Sequence, residues 1–253
     1  MKVVFLDQDV KPDSASCGFK FVARHMALEN ALRSFPLDKG GTYRFYQWFS
    51  NPEVWNDPYE KYFLNNSFGD EDCPIKDHVA VACYTTKRVS EAQWTVYSQK
   101  EIAIQVSLRW AGLIDCLREH KDDSLVAYVG KVRYLGTDKI KKKKFSSILD
   151  VTDKDLKQMN ARDGNELSAR LLTIKRPAYS YEEEIRIIIV SSKQIEKGLD
   201  IGPLNKKIID RITISPLAGT ETTALLKQVF ERRGGCHVYH STLYDPVTND
   251  VME

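Results

Sequence analysis

At 253 residues, with 42% apolar and 28% charged side chains, the chain is long enough to bury a core without disulfides or metals. A formal net charge of +2 excludes a surface built wholly for nucleic acid or an anionic membrane and leaves such contacts to local patches. Five scattered cysteines, Cys17, Cys73, Cys83, Cys116 and Cys236, form no Cys-x-x-Cys pair and read as reduced thiols.

The opening MKVVFLDQD is too short for a signal segment, and no run approaches the roughly 18 apolar residues of a membrane helix. A cytoplasmic protein without membrane attachment is expected. Short runs rich in β-branched and aromatic residues predict strands at 19–23, 43–49, 79–84, 101–106, 125–134 and 185–190. Ser90 followed by Gln93 has the spacing of a capping box, which predicts a short helix carrying Trp94 and Tyr97 one turn apart. Trp110, Leu113, Ile114 and Leu117 predict a helix over 107–119, and Leu225, Leu226, Val229 and Phe230 another over 219–233, stopped by two glycines. With strands at 208–214 and 236–240, the last helix makes a βαβ unit. The expected fold is a single α+β domain over 1–253, with helices inserted into a mixed, largely antiparallel sheet that is a candidate for the split form.

Three stretches carry the functional signal. WFSNPEVWNDPYEKYF (48–63) surrounds Asn56, Asp57 and Glu60 with aromatics; Asp57 before Pro58 suits a helix start, and Trp55, Asn56 and Asp57 form a candidate flap. SEAQWTVYSQ (90–99) supplies Trp94 and Tyr97. RPAYSYEEEIRIIIV (176–190) leads into Glu182, Glu184 and Arg186, which strand alternation sends to one face and Glu183 to the other. The apolar run behind them implies a strand buried on both faces, with its charged mouth at the rim of a covered sheet. As packing alone, these stretches are an aromatic flap and a solvated edge strand. As a site, they are three walls of one pocket. Two like charges on one face also predict that Glu184→Gln relieves repulsion and leaves folding intact.

The order Asn-Asp-Pro-Tyr-Glu, Trp-x-x-Tyr and Tyr-Glu-x-Glu-x-Arg resembles a large bacterial family of uncharacterised domains. Its motifs usually read Phe-Asn-Asp-Pro-Phe-Glu, Met-Trp-x-x-Tyr-Ala and Trp-x-x-Glu-x-Glu-x-Arg. The similarity spans residues 19–190, with a similar tail over 208–244. Trp55, Gln93 and Ser98 stand where that pattern has Phe, Met and Ala. The resemblance implies an effector of bacteria or their mobile elements, of the antiviral-defence or toxin type, with a candidate partner protein encoded nearby.

More distantly, the strand layout is similar to that of ADP-ribosyltransferases, which bind NAD across a split sheet and carry a glutamate at the head of a late strand. That likeness implies NAD as cofactor, and an acceptor that is protein or nucleic acid. Glu184 would stabilise the ribosyl transition state and Glu182 would face the acceptor. Tyr43, Trp94 or Tyr97 would be the aromatic wall, Arg24 or Arg44 would hold the pyrophosphate, Thr85 and Thr86 would supply hydroxyls, and Arg186, on the Glu184 face, would be a further cofactor-binding residue. Two readings compete. A metal-dependent nuclease would gather Asp57, Glu182 and Glu184 on a divalent cation, with Lys61 or Lys175 and the KIKKKKF run at 139–145 on phosphate. A non-catalytic module would use the flap to hold a ligand or a partner. His25 and His78 flank predicted strands and read as capping or surface residues.

Overall fold

The computed structural model describes residues 1–55, 60–61, 75–87, 90–98, 102–136 and 161–245. The strands are β1 (Lys2–Phe5), β2 (Phe21–Ala27), β3 (Phe45–Ser50), β4 (Val79–Thr85), β5 (Ala103–Arg109), β6 (Leu125–Lys131), β7 (Arg133–Tyr134), β8 (Ile174–Lys175), β9 (Glu184–Ser191), β10 (Gly198–Leu204), β11 (Ile209–Ile214) and β12 (Val238–His240). The α-helices are α1 (Leu28–Arg33), α2 (Glu91–Ser98), α3 (Trp110–Glu119), α4 (Ala161–Leu171) and α5 (Thr220–Gly234). Ten of these strands form one mixed sheet in the order β1-β6-β9-β4-β2-β5-β11-β12, with β3 and β10 branching from β4. Its pairings are antiparallel except β1 with β6 and β11 with β12. The fold is α+β, as the sequence implies, and the closing β11–α5–β12 segment is a parallel βαβ unit.

Several boundaries differ from the sequence reading, each because of a partner strand. The helix expected from 107 begins at Trp110, because Ser107 and Leu108 pair with both β2 and β11, and Arg109 with β2. The apolar opening becomes β1 once β6 lies beside it. β10, whose glycines and proline look like turn chemistry, is held extended against β3. At Gly198, φ is +152° and an added Cβ would lie 2.2 Å from the Phe49 carbonyl oxygen, so this close approach requires glycine.

The branching opens the sheet. β4 follows β9 through seven register pairs, from Val79↔Val190 to Thr85↔Glu184. On its other edge, among the described residues, β4 meets β2 only at Ala23↔Thr85 and β3 only at Ser50↔Val81. β2 and β3 therefore diverge along β4 and leave a wedge between them.

Every residue of β9 is buried, which requires cover on both faces. Ile185, Ile187 and Ile189 enter the larger core with α3, α5 and the inner residues of β5 and β11. Ile188 and Val190 enter a smaller core that contains Ala169 of α4 and Leu172. Alternation puts Glu184 and Arg186 on this second face, in line with two aliphatic side chains. A charged pair is thus built into a buried face of the sheet, where its hydrogen-bond partners come from the protein.

Candidate functional site

The wedge between β2 and β3 is a cleft of about 1010 Å³. Arg24, Trp48, Trp55, Tyr97 and Tyr179 stand in its walls, and Glu60, Lys175, Glu182 and Glu184 lie at its floor. The acidic pair converges through a local backbone device rather than through plain strand alternation. A 3-10 helix, Pro177–Glu182, ends at Glu182; Glu183 takes a left-handed conformation with φ 43°; and β9 starts at Glu184. Glu183 is turned out to Lys87 at 3.1 Å, while Glu182 and Glu184 are each only 3% exposed. A left-handed non-glycine residue costs roughly 1 kcal/mol or more, which the inward carboxylates and the Glu183–Lys87 contact help to offset.

Lys175 joins the pair. Its Nζ donates to Glu182 Oε2 at 2.6 Å and Glu184 Oε2 at 3.1 Å, lies 3.5 Å from Glu60 Oε1, and sits 4.7 Å from the Tyr179 ring centroid. Arg186, 1% exposed, donates Nε to Glu184 Oε1 at 2.8 Å, Nη1 to the Leu172 carbonyl at 2.7 Å, and Nη2 to Glu60. Its guanidinium lies 5.0 Å from the Trp55 ring centroid. Across the sheet, Arg186 is flanked by Cys83 on β4 and Gly130 on β6. The backbone N–H of Glu184 donates to the Tyr134 hydroxyl at 3.1 Å.

These contacts drive the two carboxyls apart in acidity. Burial pushes Glu184 up, but Arg186 and Lys175 outweigh it and hold the group well below the usual carboxylate range. Burial, and then the neighbouring Glu184 charge, push Glu182 up to about 7 against the pull of Lys175. Burial opposes the charge on Lys175, yet the surrounding carboxylates raise its pKa. Of the two, Glu184 is the stronger acid and Glu182 the weaker, because Glu184 has both cations and Glu182 has Lys175. The expectation that Glu184→Gln relieves repulsion is overturned: Glu184 lies between two cations, so the substitution strips both of a partner.

The other expected site residues divide. Arg24 lines the cleft and donates Nη1 to the Trp48 carbonyl at 2.6 Å. Thr85 is buried and donates its hydroxyl to the Glu182 carbonyl at 2.6 Å, so it holds the backbone beneath the site. Thr86 contacts the outward Glu183, 3.4 Å from its Oε2. Tyr97 is in the wall, whereas Trp94, 2% exposed, packs edge-on against His25 at 4.7 Å between centroids and supports the wall from behind. Trp55 lines the cleft and donates Nε1 to Ser50 Oγ at 2.9 Å.

Tyr43 and Arg44 belong elsewhere. They line a separate cleft with Cys116 and Asn205, Tyr43 beneath Arg233 and Arg44 bonded to Asp38 at 2.7 Å. Both lie just before β3, in a segment closed by the Leu37–Tyr43 bridge, and neither lines the wedge. His25 is likewise neither a cap nor a surface residue. It lies inside β2, bonds Gln105 at 3.0 Å, and is held down to about 4 by burial. His78 is half-buried at the end of a short 3-10 helix. Asn56, Asp57 and the 139–145 lysine run lie outside the described residues.

Sequence reasoning placed the 48–63 aromatics, Trp48 among them, in the pocket wall, missed Gln93, Tyr134 and Tyr179 as site residues, and knew Lys175 only as a nuclease lysine. Lys175 lies on a two-residue strand paired with β7, a contact with no local periodicity to reveal it. Compared with models of protein families, with curated proteins and with solved structures, the chain matches none.

Proposed function

We propose that this cleft binds NAD and transfers its ADP-ribosyl group to a protein or nucleic-acid acceptor in the cytoplasm, in the manner of an effector. One observation carries the reading: the sheet parts beside β4, and the wedge so formed has Glu182 and Glu184 at its floor and aromatic rings in its walls. A cleft of about 1010 Å³ is of the size that takes a dinucleotide.

Breaking the bond between ribose and nicotinamide develops positive charge on the sugar, which a preorganised anionic floor stabilises. Here three carboxylates, Glu60, Glu182 and Glu184, face two cations, Lys175 and Arg186, so the floor carries one net negative charge while Glu182 is ionised. Glu184 is locked by both cations and supplies a standing charge. Glu182 takes the proton from the acceptor, its acidity being set near neutrality. Tyr97 and Trp48 offer faces for stacking, and Arg24, one of the wall cations with Arg33 and Lys197, would hold the pyrophosphate.

The nuclease reading is less well supported. Lys175 and Arg186 already hold the Glu182 and Glu184 oxygens where a divalent cation would be required. Among the described residues, no group of three or more His, Cys, Asp or Glu side chains is poised to hold a metal. Also among the described residues, no helix is long and apolar enough to cross a membrane.

Two measurements test the proposal: calorimetric titration with NAD and ADP-ribose, and chromatographic detection of nicotinamide released from NAD, with and without cell-extract acceptors and EDTA. NAD binding, with release that persists in EDTA and disappears in Glu182→Gln, is expected. NAD that neither binds nor breaks down would overturn the reading.

A further inference from the structure

We infer that the cleft contains a carboxamide-reading subsite, in which the side-chain carbonyl of Gln93 accepts a hydrogen bond from an N–H group on the ligand. The inference deepens the NAD reading and rests on it in identifying that group as the carboxamide of nicotinamide.

Gln93 begins as half of a capping box. Its backbone N–H donates to Ser90 Oγ at 3.4 Å, as the Ser90/Gln93 spacing predicts. The side chain, however, does not return to the helix start. It extends from α2 to the head of β9, where Nε2 donates to the Glu182 carbonyl at 3.3 Å. That carbonyl also accepts the Thr85 hydroxyl at 2.6 Å. Reversing the Gln93 amide would set its oxygen against this acceptor, so the donor end must face Glu182 and the oxygen must face the other way.

Among the described residues, the oxygen then has no donor to accept from. Gln93 is 1% exposed, its Oε1 is buried without a hydrogen-bond partner, and the residue lines the cleft. Buried carbonyl oxygens in folded proteins are nearly all paired, because an unpaired one has lost water and gained nothing. An unpartnered acceptor on a residue that lines the cleft is placed to receive a donor from what enters the cleft.

The surroundings specify the donor. Tyr97, one turn further along the same face of α2, lines the cleft beside Gln93, with its ring stacked on neutral His25 at 6.1 Å between centroids. A planar ring fits against Tyr97 while its substituent reaches Gln93. Glu182, whose carbonyl Gln93 holds, and Glu184 line the same cleft and supply negative charge, which favours a neutral amide over a carboxylate. The chemistry so defined is an aromatic primary carboxamide: the ring stacks, the N–H group donates to Gln93 Oε1, and no negative charge is brought to an acidic floor.

The test compares nicotinamide, methyl nicotinate and nicotinic acid by ligand-observed NMR or calorimetry on the wild-type protein and on Gln93→Met, with NAD and ADP-ribose titrated in parallel on the wild type. Methyl nicotinate keeps the ring and carbonyl but lacks the N–H donor; nicotinic acid lacks the donor and is charged. Nicotinamide should bind wild type about tenfold or more tightly than either analogue. Gln93→Met, similar in length and without the acceptor, should lose that preference. Equal binding of amide and ester by wild type, no binding of the amide, or a preference that survives in Gln93→Met would each overturn the subsite. The wild-type comparison decides the matter even if the variant fails to fold. Preference for nicotinamide through Gln93, with no binding of NAD or ADP-ribose, would leave the subsite standing and remove the dinucleotide reading. NAD binding without any amide preference would do the reverse.

Discussion

Replacing Arg186 by leucine should destabilise the protein by about 3–5 kcal/mol near pH 8, the range for breaking a buried ion pair by removing one partner. The magnitude follows from what Arg186 holds. At 1% exposure it bonds Glu184, Glu60 and the Leu172 carbonyl, so leucine leaves a buried carboxylate with Lys175 as its remaining cation and a buried carbonyl unpaired. The floor changes from three carboxylates against two cations to three against one. The new aliphatic contacts return only part of the loss, on the order of 1 kcal/mol.

The loss should also depend on pH. In the native protein Glu184 is held below its ordinary value of 4.5, so its contribution is present above that pH and is lost as pH falls through the lowered pKa. In Arg186→Leu burial, the largest influence on Glu184, is opposed by Lys175 as the remaining bonded cation, so the carboxyl is expected to move up past its ordinary value; the variant should then gain stability as pH falls and lose it as pH rises. The gap between the two proteins should therefore narrow between about pH 8 and about pH 5. Urea denaturation followed by circular dichroism at both pH values measures it, and a melting-temperature drop of about 6–20 °C near pH 8 is the thermal equivalent for a chain of this size. A loss under about 1 kcal/mol, or one of the same size at both pH values, would refute the reasoning.

Glu182, pushed up to about 7, contributes stability that is complete below its ordinary value of 4.5 and is lost as pH rises through 7. Glu182→Gln should accordingly flatten the pH–stability profile between those values, read by thermal melts in a buffer series; a profile as steep as wild type would assign the proton to another group. Burial, and then the nearby Glu184 charge, raise the Cys83 thiol well above its ordinary value, so near pH 8 it should react with iodoacetamide far more slowly than Cys17, as followed by mass spectrometry of peptides. Labelling of Cys83 as fast as of Cys17 would mean that the floor of the cleft is wetter than described.

How the site is assembled separates what local sequence specifies from what packing decides. The run from Ile185 to Val190, β-branched but for Arg186, marks a strand locally, because such side chains fit a pleated, buried surface. The spacing of Leu113, Ile114 and Leu117 determines a helix with one apolar face, and Ser90 with Gln93 marks a helix start, since these signals act over one or two turns. Glu182 and Glu184 could be paired on paper for the same reason, although a left-handed turn at Glu183 brings them together. Lys175 and Arg186 as their counter-ions, Gln93 turned to Glu182, and Tyr43 with Arg44 carried to a different cleft have no such local cause. Each depends on which strands lie side by side, above all on β2 and β3 meeting β4 at one register pair apiece. Register and branching are selected by the summed burial of distant residues, and a window of neighbouring side chains carries no trace of that sum.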